Sequence, residues 1–520
     1  MGSRKTWALI SVCAAVGIAG IDNSILNVAL PTMSKSVGAT NSQLQWIVDS
    51  YTLVFASLML TAGSLGDRYG RRRLFMIGLA LFGAGSAVAA LSDSADSLIL
   101  CRGVMGVGGA CISPASLALL SNVFPDLRER GRAIGIWAAT ASVSIAVGPV
   151  SGGLLLQHFW WGSVFLVNVP ICAALLLAAR WTLPESKHPE SSYLDPLGVL
   201  LSVVALMSLL WTAIEGGSRG WTDPYIMGAA VMAVVFTALF VMWELHTPRP
   251  MLDLRLFSDA RFAGASAVAS ISMFVGAGTL FVIGQLLQFG LGLTALQTGL
   301  RMAPMAAAMA TTAVLSIRWA ARWGNRLVIS VGLSMSIVSG LMWLMINQDS
   351  NFGSLLAILL VFGVGQGMVF APCMAAAMGA APSEKSGAAS GTINTLRQTG
   401  LALGIAVLGT VLSSSFSRGL RVRVSGLGLS PDQVKAAASS TGEAFKLANT
   451  LPGGVGAGLA DAARAAYVHA GVVTMLVTAA AGVVGLVVNQ RFVPPHVTMP
   501  IGESADGRDP MAFVMEPPHF

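Results

Sequence analysis

GSLGDRYGRRR, residues 63–73, decides how the rest of the chain can fold. It is a short, densely charged turn between two apolar runs, each long enough to cross a bilayer. Charge at this density cannot rest in hydrocarbon, so the turn emerges into water after one helical hairpin. Arg68, Arg71, Arg72 and Arg73 fall within six residues, and short basic loops stay on the cytoplasmic side. Gly63, Gly66 and Gly70 let two helix ends approach closely. Asp67 is an acid where positive charge is otherwise favoured. It reads either as a local cap or ion-pair partner, or as a contact to a more distant part of the chain.

Working outward, the composition agrees with a membrane-spanning chain. Of 520 residues, 54% are hydrophobic and only 11% charged, with a mean hydropathy of +0.72. Soluble domains carry about 25% charged residues, so this is an all-α integral membrane protein. Apolar runs of about 20 residues recur throughout, unlike the alternating ten-residue strands of a barrel. A net charge of +7 and a pI near 9.4 would suit a nucleic-acid partner, but the basic residues sit in the turns between apolar runs, so none is expected. Cys13, Cys101, Cys111, Cys172 and Cys373 all lie inside apolar runs without paired spacing, as core residues do. The six histidines form no ligand pair. No metal site or cofactor is expected.

Fourteen spans are expected, near 7–30, 46–66, 74–91, 97–119, 133–155, 163–181, 196–214, 226–244, 262–285, 298–317, 327–346, 353–378, 395–416 and 468–488. The first run continues past Asp22 without a small-residue cleavage site, so it reads as a span rather than a signal peptide. The N-terminus and the even-numbered connections hold eighteen Lys and Arg, against Lys35 and Arg219 alone in the short odd-numbered ones. Both termini are therefore expected in the cytoplasm. Trp7, Trp46, Trp160, Trp161, Trp181, Trp221 and Trp243 fall near span ends, as an aromatic belt would place them. Segment 417–467, rich in Ala, Gly and Ser, reads as an extracytoplasmic loop with one amphipathic helix. The proline-bearing tail after Arg491 reads as disordered.

An internal repeat is visible. RYGRR at 68–72 is echoed by RWGNR at 322–326, an offset of 254, and Pro114, Pro125, Gly131 and Gly135 by Pro372, Pro382, Gly387 and Gly391. Two six-helix halves thus bracket an inserted pair, as in transporters that build two openings around one midplane site. The expected divisions are 1–181, an inserted pair with its loops at 182–260, a second half at 261–490, and a tail at 491–520.

Two charged side chains stand out inside spans. Asp22 lies in the first, and an acid at the centre of a spanning helix costs about 2.5–3.5 kcal/mol on insertion scales. Such a group faces a cavity or has a partner. A carboxyl balanced between desolvation and a nearby cation can load and release protons, while one permanently paired is only structural. Arg102, early in the fourth span, needs an acceptor. Asp22 and Asp49 are both candidates.

The turn at 63–73 resembles the G-x-L-x-D-R-x-G-R-R/K signature between the second and third helices of the major facilitator superfamily. IDNSILNVALP, residues 21–31, resembles the L-D-x-T-x-x-N-V-A-L-P motif of drug:proton antiporters with fourteen spans. RGVMG, residues 102–106, resembles the fourth-helix R-x-x-x-G motif of that group, and GPVSGG, residues 148–153, the fifth-helix G-P-x-x-G-G motif of its exporters. The resemblance implies the major facilitator fold: two six-helix bundles plus two inserted helices. It implies proton coupling through Asp22 and Arg102, and an exporter motif in Gly148, Pro149, Gly152 and Gly153. A conformational gate of Gly63, Asp67, Arg68, Gly70, Arg71 and Arg72 is implied as well, with Asp67 facing the helix start near residues 390–395 of the second half. Asp126 or Glu129 is the expected partner of the gate arginines.

Asn27, which could bond across helices, Asp49, Arg397, Met302 and Met305 are candidates for lining a substrate cavity. Ordinary packing is the competing account of the methionines. Several members of the family it resembles carry acids in spans 10 or 13; this chain has none there, which argues against more than one coupled proton per substrate. The expected function is proton-coupled export of lipophilic or amphiphilic compounds by alternating access in the cell membrane, by a monomer. It is not expected to be an enzyme: no polar groups converge at a membrane face, and there is no Walker lysine loop. The alternative is export of a specific native metabolite or lipid, with drug efflux incidental.

Overall fold

The protein is described by a computed structural model, which covers residues 3–187, 195–248, 250, 252, 254–346, 352–381 and 386–495. Among these residues there is helix and turn but no strand. Five long helices open the chain: α1 (Ser3–Val37), α2 (Asn41–Tyr69), α3 (Arg71–Ala90), α4 (Ala95–Val123) and α5 (Leu127–His158). The sixth crossing is split into α6 (Ser163–Leu166) and α7 (Asn168–Thr182). A hairpin of α8 (Pro196–Arg219) and α9 (Pro224–His246) follows. Then come α10 (Ala260–Gln285), α11 (Ala295–Trp323), α12 (Asn325–Met342), α13 (Phe352–Ala380) and α14 (Ser386–Arg423). Two short helices, α15 (Pro431–Ser439) and α16 (Thr441–Thr450), lead into α17 (Gly453–Phe492).

Of the fourteen expected crossings, twelve coincide with helices that, among the described residues, are both long and apolar enough to span a membrane. The other two coincide with α2 and α5, which are 29 and 32 residues long. Segment 417–467 differs from expectation. Its first residues prolong α14 to Arg423 and its last belong to α17, which begins at Gly453, while two short helices rather than one lie between. The Ala-rich composition favours continued helix over open loop.

The repeat is written into the backbone at one spacing. Thr40 caps α2 and exchanges hydrogen bonds with Gln43, and Thr294 caps α11 and does the same with Gln297, an offset of 254. Gly38 and Gly292, both at φ 66, precede those caps. Gly70 and Gly324, at φ 121 and 87, end the same helices; that region is open to glycine at no steric cost. Interior contacts repeat as well. A Cβ on Gly78 would lie 2.7 Å from the Gly108 carbonyl oxygen, and one on Gly332 would lie 2.6 Å from that of Gly365. Each pair brings α3 against α4, or α12 against α13, at backbone distance.

Helices α1 to α7 pack among themselves, as do α10 to α14 with α17. The groups meet toward the end of the bundle opposite the basic turn. There Gln288 Nε2 donates to the Val28 carbonyl at 2.8 Å, and a Cβ on Gly153 would lie 2.7 Å from Leu296 Cα. Phe445 of α16 stacks on Phe289 at 6.1 Å, and Lys35 of α1 lies over the same Phe289 ring. The hairpin covers one of the two seams. Helix α8 packs on both α2 and α14, and Thr410 Oγ1 donates to the Ala213 carbonyl at 2.7 Å. Helix α9 packs on α8 and leaves Tyr225 and Val234 76% and 71% exposed, a face suited to lipid. Asp195 caps α8 and accepts from Trp243 Nε1 at 3.0 Å, tying the hairpin at its base. Trp46 departs from its expected place in an interfacial belt: it is 7% exposed, 6.0 Å from Trp211 in the seam.

The glycine contacts predict that Gly108→Ala and Gly365→Ala each destabilise the protein by about 1–3 kcal/mol through overpacking. Gly228→Ala, whose Cβ meets nothing within 4 Å, leaves the thermal midpoint in detergent at its wild-type value. Thermal unfolding of the three variants checks this.

Candidate functional site

Helix α1 carries Asp22 into the interior of the first group and α4 carries Arg102 to meet it; both are 0% exposed. Arg102 Nη1 donates to Asp22 Oδ2 at 2.5 Å, and its Nε donates to the Ile47 carbonyl at 3.0 Å. The guanidinium lies over the Tyr51 ring, 4.4 Å from the centroid. Asp22 Oδ1 accepts from Asn168 Nδ2 at 2.8 Å, and the same amide donates to Ser86 Oγ at 3.2 Å. Five elements, α1, α2, α3, α4 and α7, thus converge on the ion pair. Removing two charges from water costs several kcal/mol per ion, and only close pairing with filled hydrogen-bond positions offsets that. Arg102 Nη2 finds no partner, so the pair is not fully satisfied. Protonating Asp22 would leave Arg102 without its anion but still held by Ile47 and Tyr51.

Of the two acids open as partners for Arg102, the structure brings Asp22 to it and not Asp49. Asp49 is also 0% exposed, yet neither carboxylate oxygen has a hydrogen-bond partner. Arg397 lies in α14, its Nη1 donating to Asn394 Oδ1 at 2.8 Å and its guanidinium 4.1 Å from the Phe370 centroid. Its Nε is unpaired. Asn27 does not bond across helices, because its Nδ2 reaches back to the Ser24 carbonyl at 3.2 Å within α1. Met302 and Met305 are 0% and 3% exposed, sealed in the apolar core, with Met305 against Gly363 of α13.

The glycines at 148–153 act in two directions. A Cβ on Gly152 would lie 2.6 Å from Ile25 Cγ1 of α1, and Gly148 faces Ser24. Gly153 faces Leu296 of α11, where Gly299 also abuts the Pro149 carbonyl. The same few residues thus close α5 on its own group and on the other. At the basic turn, Gly63 packs near Pro114, and Arg68 stacks on the exposed Tyr69 ring. Glu185, just beyond α7, accepts from the Arg72 backbone N–H at 3.0 Å and pairs with the Arg72 and Arg73 side chains at 3.7 and 3.8 Å. Arg71 N donates to the Ser186 carbonyl at 3.1 Å. The expected partner Glu129 instead holds Lys5 at 2.7 Å. The Asp67 side chain lies outside the described residues, and the helix it was expected to face starts at Ser386 rather than at 390–395.

Reading the sequence missed Asn168, Tyr51 and Glu185. The first had a usable signal, since an amide inside an apolar span seeks a partner. Tyr51 is four residues from Ile47, on the same face of α2.

A duplicated helical bundle with a buried ion pair defines a membrane transporter. Residues 12–405 match the Major Facilitator Superfamily, and the chain belongs to that family. It is 36% identical over 488 residues to the multidrug efflux pump LfrA of Mycolicibacterium smegmatis, covering 93% of this chain and 96% of that protein. It is 35% identical over 470 residues to the methyl viologen resistance protein SmvA of Salmonella typhimurium, covering 89% and 93%. Among solved structures, an inward-facing, unoccupied bacterial homologue of the human lysosomal transporter Spinster superposes with a TM-score of 0.66 at 16% identity, over 95% of this chain and 98% of that one.

Arg102→Ala would strand the Asp22 carboxylate in the core, a loss of about 3–5 kcal/mol. The double variant Asp22→Asn/Arg102→Ala should recover a large part of that loss. Equal thermal midpoints for the single and double variants would show that the two charges do not sustain one another.

Proposed function

We propose that this protein is a proton-coupled exporter of lipophilic or amphiphilic compounds, working by alternating access between halves at 1–181 and 261–490. The inserted pair occupies 182–260 and the tail 491–520. The observation that carries the reading is the Asp22–Arg102 pair, closed off from water in a family whose relatives here include a multidrug efflux pump. The excess of basic residues in alternate connections supports cytoplasmic termini in the cell membrane. On that orientation the halves meet at the outer end, and substrate enters from the inner one. The protein acts as a transporter rather than an enzyme, and as a monomer.

In the proposed cycle Asp22 takes a proton from outside as substrate leaves. It yields the proton inside, where Arg102 and Asn168 receive the restored carboxylate. The proton gradient supplies about 1.4 kcal/mol per pH unit and about 2.3 kcal/mol per 100 mV for each charge moved. Proteoliposomes loaded with a lipophilic dye test the reading. Under an imposed pH gradient wild type should export dye, and Asp22→Asn should bind dye but lose gradient-driven export. Undiminished export by Asp22→Asn would place the proton elsewhere.

A further inference from the structure

Asp49 sits on the opposite face of α2 from the coupling pair. The Tyr51 ring and the Ile47 carbonyl meet Arg102. At 100° per residue Asp49 faces the other way, one turn from Gln45 and between Trp46 and Leu53. That face looks out of the first group. Gln45 lies against Gly409 and Thr410 of α14, and Trp46 and Leu53 form an apolar cluster with Leu210 and Ile214 of α8 and Ala402 and Ala406 of α14. By helix geometry the carboxyl is directed toward the seam between the halves, beside the inserted helix and Ile99 of α4, with both oxygens enclosed and unpartnered.

Among the described residues, no charged group on the packed helices bonds to it. On α1, Lys35 lies over Phe289 and Lys5 holds Glu129. On α4, Arg102 addresses Asp22 across α2, and Asp96 accepts from Gln43 at the helix end. On α8, Glu215 and Arg219 pair with each other, with Arg219 over Trp211. On α14, Arg397 lies more than two turns before Ala406 and stacks on Phe370, while Arg418, Arg421 and Arg423 cluster at its far end. On α3, Arg72 and Arg73 are at the basic end with Glu185. An ionised carboxylate with no partner in an apolar seam is not tolerated, whereas a protonated one is.

We propose that Asp49 is a second proton-binding site, distinct in role from Asp22, whose occupancy licenses closure of the α2–α8–α14 seam. When the seam is open, the carboxylate faces outer water and binds a proton from it. Neutralised, it enters the apolar seam as the halves close. When they part, it returns the proton to the same side. This proton gates the cycle without crossing the membrane. The inserted hairpin has a stated job: α8 supplies the wall that makes the seam dry. The inference rests on the orientation proposed above.

Spin labels on Ser42→Cys of α2 and Arg418→Cys of α14 read the seam in purified full-length protein, the native cysteines all being buried. Lowering the pH should enrich the short-distance population in wild type. Asp49→Asn should hold that population at every pH, and Asp49→Glu should titrate again with a shifted midpoint. Asp22→Asn, which shifts the balance between the two tilts, should still show a pH-dependent change in the seam population, which separates this claim from the coupling role of Asp22. A wild-type titration that survives in Asp49→Asn would overturn the proposal. So would a wild-type seam distance indifferent to pH. Should Asp49→Asn fail to fold, an Asp49→Glu midpoint equal to that of wild type would overturn it equally.

Discussion

A carboxylate and a guanidinium shut away from water impose the main constraint on this structure. Each alone would be expelled from a bilayer-spanning core. Together they persist only while α1, α2, α4 and α7 hold them within hydrogen-bond reach. The first group of helices is thus organised around a charged centre, and the second has no charged equivalent there among the described residues. By the 254-residue offset Asp22 corresponds to Gly276, which lies beside Gln366. The duplicated fold carries a charge pair in one copy and in the other a neutral network of Gln366, Ser272 and Ser336. In the proposed cycle, ionisation of Asp22 in an otherwise repeated frame biases that frame toward one tilt.

Close helix approach transmits that preference. Glycines at the α3–α4 and α12–α13 crossings leave no room for a Cβ, so each half is packed tightly within itself. The surfaces between halves are of two kinds. At α5–α11 the glycines of residues 148–153 and Gly299 bring backbones together with little polar contact. At α2–α14 the seam carries Gln45 and Thr410, with Asp49 by the inference above, and is covered by α8. Steric fit can close the first seam at any pH, whereas the second must also deal with a carboxyl. The hairpin therefore makes a symmetric architecture asymmetric about its lateral openings.

Much of this was legible in the sequence because the bilayer sets a length and penalises charge. The apolar runs predicted nearly every helix, and Asp22 and Arg102 stood out as charges inside such runs. Depth along a helix can be counted from sequence; direction around it against unknown neighbours cannot. Hence Asp22 and Asp49 looked equivalent as partners for Arg102, although the structure puts Asp49 on the far side of α2. Trp46 read as interfacial for the same reason, being near a helix end yet facing the seam. Asn168 is neutral and Glu185 sits in a connector, so neither announced itself by energetic cost. The repeat was stronger than the motif echoes suggested. The Thr-x-x-Gln boxes at 40–43 and 294–297 and the glycines before them stand at the same offset as RYGRR and RWGNR.

The account depends on Asp22 exchanging its proton for substrate. Purified protein in weakly buffered detergent solution, mixed with a lipophilic cation in the presence of a pH-indicator dye, reports this directly. Release of protons in proportion to bound substrate by wild type, and none by Asp22→Asn at equal binding, is the predicted result. Binding without proton release at any pH in wild type would contradict it.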